Sequence, residues 1–357
     1  GLACARQFRR LKSMRIQFIL KRNLNYNFTS YCRRSSGLWN STRFIVEGLA
    51  ARGVHAEIIE VHDGNDIDRE VIRFAPDVVV IEALWATPAK MKELLSLHRH
   101  RGRKWFIHMH SGLPFLAQEG ISMEWLSAYP KLGVGVLANS PETYDAFRSI
   151  LPSDHVYYIP NVYIPEFRKP VRKRENAQRF DIGCFGAIRP MKNQLAQAIA
   201  AIRFSEEHDR SCHFHINGSR IEVGGSPVLK NLIALFEAHP RHKLIQHDWM
   251  EPEVFIDRLH DQVDIGMQVS LTETFNVVTA DYVTAGLPVV VSSEVPWASS
   301  LNYADFDDIS DIVRVMNRAW TYRLLIRWNQ HLLHEASCSA QESWFLWLKS
   351  VTRSSSC

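Results

Sequence analysis

Residues 269–291 read Val-Ser-Leu-Thr-Glu-Thr-Phe-Asn-Val-Val-Thr-Ala-Asp-Tyr-Val-Thr-Ala-Gly-Leu-Pro-Val-Val-Val, which predicts the end of a strand, a turn, a helix and a second strand. The helix is expected from about Phe275 to Ala285, and Gly286 follows it as the usual left-handed residue after a helix. Pro288 then begins a β-branched run typical of buried parallel strands. The helix N-terminus presents unpaired amides and a partial positive charge, so this stretch predicts an anion-binding site.

The same alternation extends over most of the chain, which favours an α/β class with parallel sheets. Strands are predicted at 15–20, 56–61, 77–83, 104–110, 133–139, 180–186, 213–218, 243–246, 265–269 and 288–292. Helices are predicted at 41–52, 89–98, 141–150, 194–204, 228–239, 251–260 and 275–285. Residues 63–70 are polar and predict a solvated loop. Because the strand-helix pattern begins twice, we expect two Rossmann-like domains.

A length of 357 residues is also typical of two domains. The stretch between the two patterns is rich in Pro, Arg and Lys, which predicts a linker. The expected division is a disordered or non-native extension at 1–13, a first domain at 14–160, a linker at 161–178, a second domain at 179–335, and a helix with a tail at 336–357.

The composition, with 46% hydrophobic and 22% charged residues, is that of an ordinary soluble globular protein. The net charge of +4 does not by itself indicate nucleic acid. Basic runs at 9–10, 33–34, 98–104 and 168–174 are interpreted first as solvated loops and second as a cleft for an anionic substrate. Six cysteines without a Cys-x-x-Cys pair favour free thiols in a reducing, cytoplasmic setting. No apolar run could span a bilayer, so any contact with the inner membrane face is expected to be peripheral.

Two acidic residues of the opening stretch are the first candidates for chemistry. Glu273 lies in the predicted turn, and Asp281 follows eight positions later, about two helical turns on. One carboxylate can therefore meet a sugar while the other meets a ribose.

This stretch resembles the acidic motif of retaining GT-B glycosyltransferases, especially family 4, in which Glu, seven residues and Glu precede Gly-x-Pro-Val-Val. The resemblance implies that Glu273 holds the transferred sugar and that Asp281 holds the ribose hydroxyls. The intervening backbone amides, which are expected to contact sugar and phosphate, belong to Thr274, Phe275, Asn276 and Val277. Two departures stand out: Asp281 is one methylene shorter than the usual Glu, and Thr274 and Asn276 replace glycines.

Further segments match the same family in the expected order. Residues 158–161, Tyr-Ile-Pro-Asn, resemble the element before the second domain, and residues 183–193, Gly-Cys-Phe-Gly-Ala-Ile-Arg-Pro-Met-Lys-Asn, resemble the strand and loop that follow it. In that loop Gly186 is expected to approach the donor, and Arg189 and Lys192 to neutralise its diphosphate as it leaves. The resemblance implies that the C-terminal helix, around 341–349, crosses back to the first domain.

The first domain offers two more candidates by resemblance. Gly37, after Ser35 and Ser36, occupies the place of the glycine loop that approaches the donor phosphates in relatives. His110 ends the strand 104–110, and ligands of open α/β sheets lie at the carboxyl ends of strands. Family members often have a His there that faces the sugar, so His110 is assigned this role and His108, on the same strand face, is second choice.

Several other motifs are weaker. The pairs His108–His110 and His213–His215 could suggest zinc, but no cysteine pair, His-Glu-x-x-His or carboxylate at ligand spacing supports it, so core or cleft histidines are preferred. Residues 66–68, Asp-Ile-Asp, are interpreted as a solvated turn and helix cap. The chain has no Gly-x-Gly-x-x-Gly after its first strand and no Walker loop. Oxidoreductase and ATPase interpretations are therefore weak, so no essential cofactor is expected, and the resemblance implies that no metal is essential.

The sequence thus predicts a GT-B protein with two Rossmann-like domains that face each other across a cleft. Its expected activity is retaining, metal-independent transfer of a sugar from a nucleoside-diphosphate sugar, with UDP- or GDP-sugars first. The acceptor would be a carbohydrate, a glycolipid or another hydroxyl compound. Two alternatives stay open: a catalytically weak nucleotide-sugar-binding protein, and a phage-type enzyme that glycosylates DNA bases.

Overall fold

Two parallel sheets organise the chain, and each belongs to its own compact unit. The computed structural model describes residues 14–22, 37–174, 177–222 and 224–353. The first unit comprises the described residues up to Tyr163 and those from Ser337 onward, and the second runs from Ile164 to Ala336. The expected extension at 1–13 and the loop residues Ser35 and Ser36 lie outside the described residues.

The first unit is built on a six-stranded parallel sheet of order β2-β1-β3-β4-β5-β6. Its strands are β1 (Arg15–Lys21), β2 (His55–Val61), β3 (Val78–Glu82), β4 (Lys104–Met109), β5 (Gly135–Ala138) and β6 (Val156–Tyr158). Its helices are α1 (Gly37–Ala51), α2 (Gly64–Phe74), α3 (Pro88–Ser96), α4 (Leu113–Leu116), α5 (Ser122–Ala128) and α6 (Pro141–Ile150). Every residue of β3 is buried, as expected for a central strand covered by helices on both faces.

The second unit has a five-stranded parallel sheet of order β11-β10-β7-β8-β9. Its strands are β7 (Arg179–Gly183), β8 (Ser211–Ile216), β9 (Lys243–Gln246), β10 (Ile265–Gln268) and β11 (Val289–Val291). Its helices are α7 (Gln194–Glu207), α8 (Gly225–Ala238), α9 (Pro252–Gln262), α10 (Val277–Thr284) and α11 (Ile309–Thr321). Helix α12 (Leu324–Arg353) begins in this unit, and its residues from Ser337 onward belong to the first.

The strand orders identify where each sheet can bind a ligand. In the second unit β7 has β8 on one side and β10 on the other, so the direction of winding reverses between β7 and β10. In the first unit the same reversal falls between β1 and β3. Loops leave such a switch point in opposite directions and open a crevice at the carboxyl ends of the strands. The candidate residues on each unit are therefore sought there.

Most predicted elements are confirmed within a few residues, and the α/β class with parallel sheets is confirmed. The predicted loop at 63–70 is wrong, because helix α2 occupies this segment. Asp63 caps the helix, with its side chain accepting from the Asn65 amide at 2.7 Å. Ile67 and Val71, four positions apart, supply its buried face. Within residues 63–70 only Ile67 is a large apolar residue, which gave too weak a helical pattern to recognise.

Other boundaries shift as well. Helix α1 begins at Gly37, four residues before the predicted start, and α12 extends far on both sides of the expected helix at 341–349. The segment after Tyr163 is hydrogen-bonded along the second unit, where the Arg168 amide donates to the Thr284 carbonyl at 2.7 Å. Among the described cysteines, Cys184 and Cys212 are buried and Cys338 is exposed, and all three are free thiols.

Across the described ranges, none of the helices combines the length and the apolar character that crossing a membrane requires.

Candidate active site

The loops after β7 and β10 lie side by side at the switch point of the second unit. The Leu271 amide donates to the Met191 carbonyl at 2.9 Å, and the Asn193 side-chain amide donates to the Val269 carbonyl at 3.1 Å. These bonds join a short 3₁₀ turn, Pro190–Lys192, to the loop that precedes α10. Residues 80 and 76 positions apart in sequence are thereby held together, as expected where two parallel strands end next to each other.

Lys192 and Glu273 form an ion pair in this crevice. The Lys192 Nζ lies 2.6 Å from Glu273 Oε1, and only 10% and 8% of the two side chains are exposed. A cation this far removed from water requires a negative partner, which Glu273 supplies in the ligand-free protein. The pair places an ammonium group beside the loop that precedes a helix N-terminus, where an anion would also be favoured.

Arg189, the second predicted cation, takes a different partner that the sequence did not point to. Its guanidinium lies 3.0 Å from Glu222 Oε2, and Arg220 binds the other oxygen of the same carboxylate at 3.1 Å. The backbone brings them together, because the Ile188 amide donates to the Arg220 carbonyl at 2.8 Å. Arg220 also lies 4.4 Å above the ring of Trp249, which limits its movement. This group adds a second cationic position after β7.

Asn276 lies in the turn before α10, at a position where the sequence comparison with family 4 led us to expect a glycine. It has φ of 63°, a left-handed conformation in which Asn is among the best-tolerated residues after glycine. Its side-chain oxygen accepts from the Thr279 amide at 2.8 Å and caps α10, while its amide group donates to Gln268 at 3.0 Å. The helix therefore begins at Val277, two residues later than predicted.

Tyr282 and Gln268 anchor this helix to the end of β7, and neither was a candidate from the sequence. The buried Tyr282 hydroxyl donates to the Gly183 carbonyl and accepts from the Phe185 amide, both at 2.9 Å. Gln268 donates to the Phe185 carbonyl at 2.7 Å. A Gln at the end of an apolar strand was the available signal. These contacts fix where the N-terminus of α10 points.

The remaining predicted residues lie around the same crevice. Gly186 has φ of 108°, and its amide donates to the Asn217 side chain at 2.8 Å. Phe275 is buried, and its carbonyl accepts from the Trp297 indole at 2.7 Å. Thr274 is partly exposed in the turn, and Asp281 is partly exposed on α10. Each of the loop and helix positions named from the sequence therefore follows β7 or β10.

His110 in the first unit belongs to a cluster of three side chains at the ends of β3 and β4. Glu82 is wholly buried, and its Oε2 lies 2.5 Å from His110 Nε2 and 3.1 Å from His108 Nδ1. Burial raises the pKa of Glu82, but the two imidazoles outweigh burial and lower it to about 2. Burial lowers the pKa of His108. The carboxylate is therefore ionised, and burial favours the neutral form of His108.

This cluster, with two imidazoles and a carboxylate, is the only group with metal-ligand spacing in the part of the chain that the structure describes. Its geometry is that of hydrogen bonds. Two ligands of a tetrahedral zinc ion lie about 3.3 Å apart for bonds of about 2.0 Å, whereas His110 Nε2 and Glu82 Oε2 are 2.5 Å apart. A zinc-bound imidazole also donates its other N–H, and His108 Nε2 is buried with no hydrogen-bond partner among the described residues.

Gly37 lies at the N-terminus of α1, the helix that follows β1 at the switch point of the first unit. An added Cβ there would meet no described atom within 4 Å. The position therefore leaves space beside the helix N-terminus, while its predicted partners Ser35 and Ser36 are not among the described residues.

A chain of hydrogen bonds links the second predicted pair of histidines to the sheet. Arg258 donates to His247 Nδ1 at 3.1 Å, His247 Nε2 lies 2.8 Å from His215 Nδ1, and His215 Nε2 lies 3.0 Å from Asp181. An arginine only donates, so His247 accepts at Nδ1 and its Nε2 faces His215 as the donor. Burial, followed by the nearby charges of His215 and Arg258, lowers the pKa of His247 to about 4.

Stability is therefore expected to fall as the pH drops from about 6.5 to about 4. In the unfolded chain His247 gains a proton near its ordinary pKa of 6.5, whereas in the folded chain it does so only near pH 4. Between these two pH values the unfolded state binds more protons, so lowering the pH favours unfolding. Replacing His247 with Gln should flatten the pH dependence of urea unfolding there. The same change at the exposed His98 is the control. A slope unchanged by H247Q would contradict the assignment.

Several proteins of known structure have a fold similar to that of this chain. The structure is similar to sucrose-phosphate synthase from Thermosynechococcus elongatus, with a TM-score of 0.66, 12% identity, and coverage of 95% of this chain and 99% of that one. It is similar to an E. coli trehalose-6-phosphate structure bound with UDP-2-fluoro glucose, with a TM-score of 0.62, 11% identity, and coverage of 94% and 99%. S. aureus TarM, solved with UDP, has a TM-score of 0.57 and 10% identity; the match covers 78% of this chain and 57% of TarM.

No protein-family model matches the sequence, and no curated protein matches it. The structural similarities show the fold, and the GT-B fold predicted from the sequence is confirmed.

Proposed function

We propose that the chain transfers a sugar from a nucleoside-diphosphate sugar to a hydroxyl acceptor, with the donor held on the second unit. The observation that carries the proposal is the Lys192–Glu273 pair, 2.6 Å apart at the switch point of a nucleotide-binding type of sheet. A departing diphosphate develops negative charge, and preorganised cations and helix N-termini stabilise it. Lys192 would leave Glu273 for the diphosphate, and Glu273 would then bind sugar hydroxyls.

The other residues have roles that follow from their positions. Arg189, which pairs with Glu222, would contact the diphosphate from the same loop. Asp281 on α10 would bind the ribose, and His110 the sugar or acceptor. The loop and helix amides that would contact sugar and phosphate are those of Gly186, Thr274, Phe275, Asn276 and Val277, with Gly37 contributing from the first unit.

Transfer is proposed to proceed with retention and without a metal. Lys192 and Arg189 supply positive charge at the place where a metal ion would otherwise neutralise a diphosphate. The acceptor is proposed to be a carbohydrate, a glycolipid or another hydroxyl compound. A uridine donor is favoured over a guanosine donor, because two of the similar structures carry UDP or a UDP-sugar analogue.

Binding of the donor should raise the melting temperature of the chain. A ligand at 100 times its Kd stabilises by about 2.7 kcal/mol, which is about 5–10 °C for a unit of this size. The measurement is thermal shift with UDP, GDP, UDP-glucose, UDP-N-acetylglucosamine and GDP-mannose, with uridine as the control that lacks phosphate. No shift with any nucleotide would contradict donor binding. NMR of the product anomer tests retention, and activity in EDTA tests metal independence.

A catalytically weak binding protein is the main alternative, motivated by the shorter Asp281 and by Thr274 and Asn276 in place of glycines. The left-handed φ of Asn276 weakens the argument that the missing glycines imply weak catalysis, because the backbone has a conformation that a glycine would adopt. Release of nucleotide from a bound donor separates the two. A DNA acceptor has little support, because Arg168 pairs with Asp257 and Arg99 with Asp68, so two of the basic runs are partly neutralised.

A further inference from the structure

The hydrogen bonds of Glu82 with His108 and His110 indicate which ring nitrogen of each histidine carries the donated proton. A carboxylate only accepts, so the imidazole nitrogens that face Glu82 must both carry a proton. His110 therefore donates from Nε2 at 2.5 Å, and His108 donates from Nδ1 at 3.1 Å. A neutral imidazole that donates from one nitrogen can only accept at the other.

The backbone holds the three side chains in this relation. Glu82 and His108 are paired in register across β3 and β4, and His110 follows β4 on the same face. The residue after Glu82, Ala83, has φ of 68° and donates from its amide to the His108 carbonyl at 2.9 Å. Trp344 packs edge-on against His108 with 5.4 Å between ring centres. His108 thereby fills the interior side of Glu82 and leaves the outer side to His110.

His110 is the member that reaches the surface. Its side chain is 17% exposed, whereas Glu82 and His108 are fully buried. It lies at the carboxyl end of β4, the edge of the sheet where ligands bind. A buried acid cannot itself touch a substrate here, so its effect on chemistry must pass through His110.

Resting on the proposed function, we infer that Glu82 is a positioning residue for sugar transfer: it holds His110 as the Nε2–H tautomer, so that Nδ1 is the atom that accepts a hydrogen bond from a sugar hydroxyl. Glu82 also balances the charge if His110 gains a proton during turnover. The role is analogous to that of the acid in a His–acid pair, which fixes the ring and its tautomer.

The primary test uses the full chain labelled with ¹⁵N-histidine, with ring signals assigned from His110→Gln and His108→Gln variants. Long-range NMR spectra should show His110 protonated at Nε2 in the native protein. In Glu82→Gln, one amide oxygen faces two N–H donors and the amide NH₂ repels them, so the His110 signal should shift or change tautomer. An Nδ1–H tautomer in the native chain, or a spectrum unchanged by E82Q, would overturn the inference.

The kinetic test uses a UDP-glucose turnover assay. E82Q should lower kcat/KM by up to about 10⁴-fold, the effect on turnover when the acid of a His–acid pair becomes an amide and the histidine takes the wrong tautomer. Adding E82Q to His110→Ala should lower it no further, because a residue that acts only through His110 has nothing left to position. A further loss in the double variant would contradict this role and indicate a purely structural one.

Asp68→Asn is the matched control, because Asp68 also binds an imidazole, that of His100, at 2.6 Å in the same unit. It should leave turnover unchanged. Elemental analysis of the purified chain tests whether the cluster binds zinc. One zinc ion per chain would make Glu82 a metal ligand and would overturn the inference. A native chain inactive on UDP-glucose would count against the proposed function, while the NMR result still decides the tautomer.

Discussion

Replacing Lys192 with alanine should lower kcat by about 10²- to 10³-fold, the usual effect of removing one group that stabilises charge in a transition state. Lys192 is the cation that lies against Glu273 at 2.6 Å, in a position with little access to water. Arg189, the other candidate cation of this loop, lies 3.0 Å from Glu222 Oε2. The measurement is donor consumption at saturating substrate.

The same substitution should also destabilise the second unit, which complicates its interpretation. Removing one partner of a buried ion pair leaves the other charge unpaired and costs about 3–5 kcal/mol in such cases. Lys192→Ala combined with Glu273→Gln removes the unpaired charge, so stability should recover while turnover stays low. Recovery of both would mean that the first loss was one of folding.

Lys90→Ala is the matched control for the lysine change. Lys90 also forms a 2.6 Å ion pair, with Glu93, whose side chain is 60% exposed. Exposed pairs contribute about 0.2–1 kcal/mol, so neither turnover nor stability should change appreciably. A turnover for K192A equal to that for K90A would remove Lys192 from the mechanism.

Replacing Gly286 with alanine should destabilise the second unit by about 2–4 kcal/mol, which is a fall in melting temperature of about 6 °C or more. Gly286 ends α10 with φ of 80°, a conformation that costs an L-residue about 1–2 kcal/mol. An added Cβ would also collide with the Lys169 carbonyl group. The Val171 amide donates to the Gly286 carbonyl at 2.9 Å, so the neighbouring segment cannot move away without losing a hydrogen bond.

Gly133→Ala separates the two parts of this cost. Gly133 has φ of 77°, but an added Cβ there would meet no described atom within 4 Å. Its replacement should cost about 1 kcal/mol from conformation alone. Urea unfolding followed with a probe in each unit measures both variants. Equal losses at 286 and 133 would show that the contact with Lys169 relaxes without penalty.

The crevice of the second unit was predictable because its residues follow strong local patterns. Glu273 sits between an apolar strand and a helix, and the loop with Arg189 and Lys192 follows another such strand. Parallel strands that end at one sheet edge bring these loops together. Lys192 and Glu273, expected at the diphosphate and at the sugar of the donor, lie 2.6 Å apart. Their roles in transfer remain to be tested.

The partners of Arg189 and His110 could not be predicted in the same way. Glu222 lies 33 positions from Arg189, and Glu82 lies 28 positions from His110. No local pattern marks either carboxylate as a partner, although a Glu at the end of a β-branched run was a signal that could have been used. In the sequence, no carboxylate lies at ligand spacing from His108 and His110, so no acidic partner was expected for this pair. The register of β3 against β4 supplies that acid from the neighbouring strand.

The sequence by itself determined the alternation of strands and helices, the parallel α/β class, and the turn that carries Glu273. These depend on hydrophobic periodicity and on glycine or proline punctuation, which act over a few residues. Only the tertiary structure decided which acid each cation and each imidazole contacts, and that Glu82 lies against His110. Such contacts depend on strand order and register, which set distances between residues that are far apart in the chain.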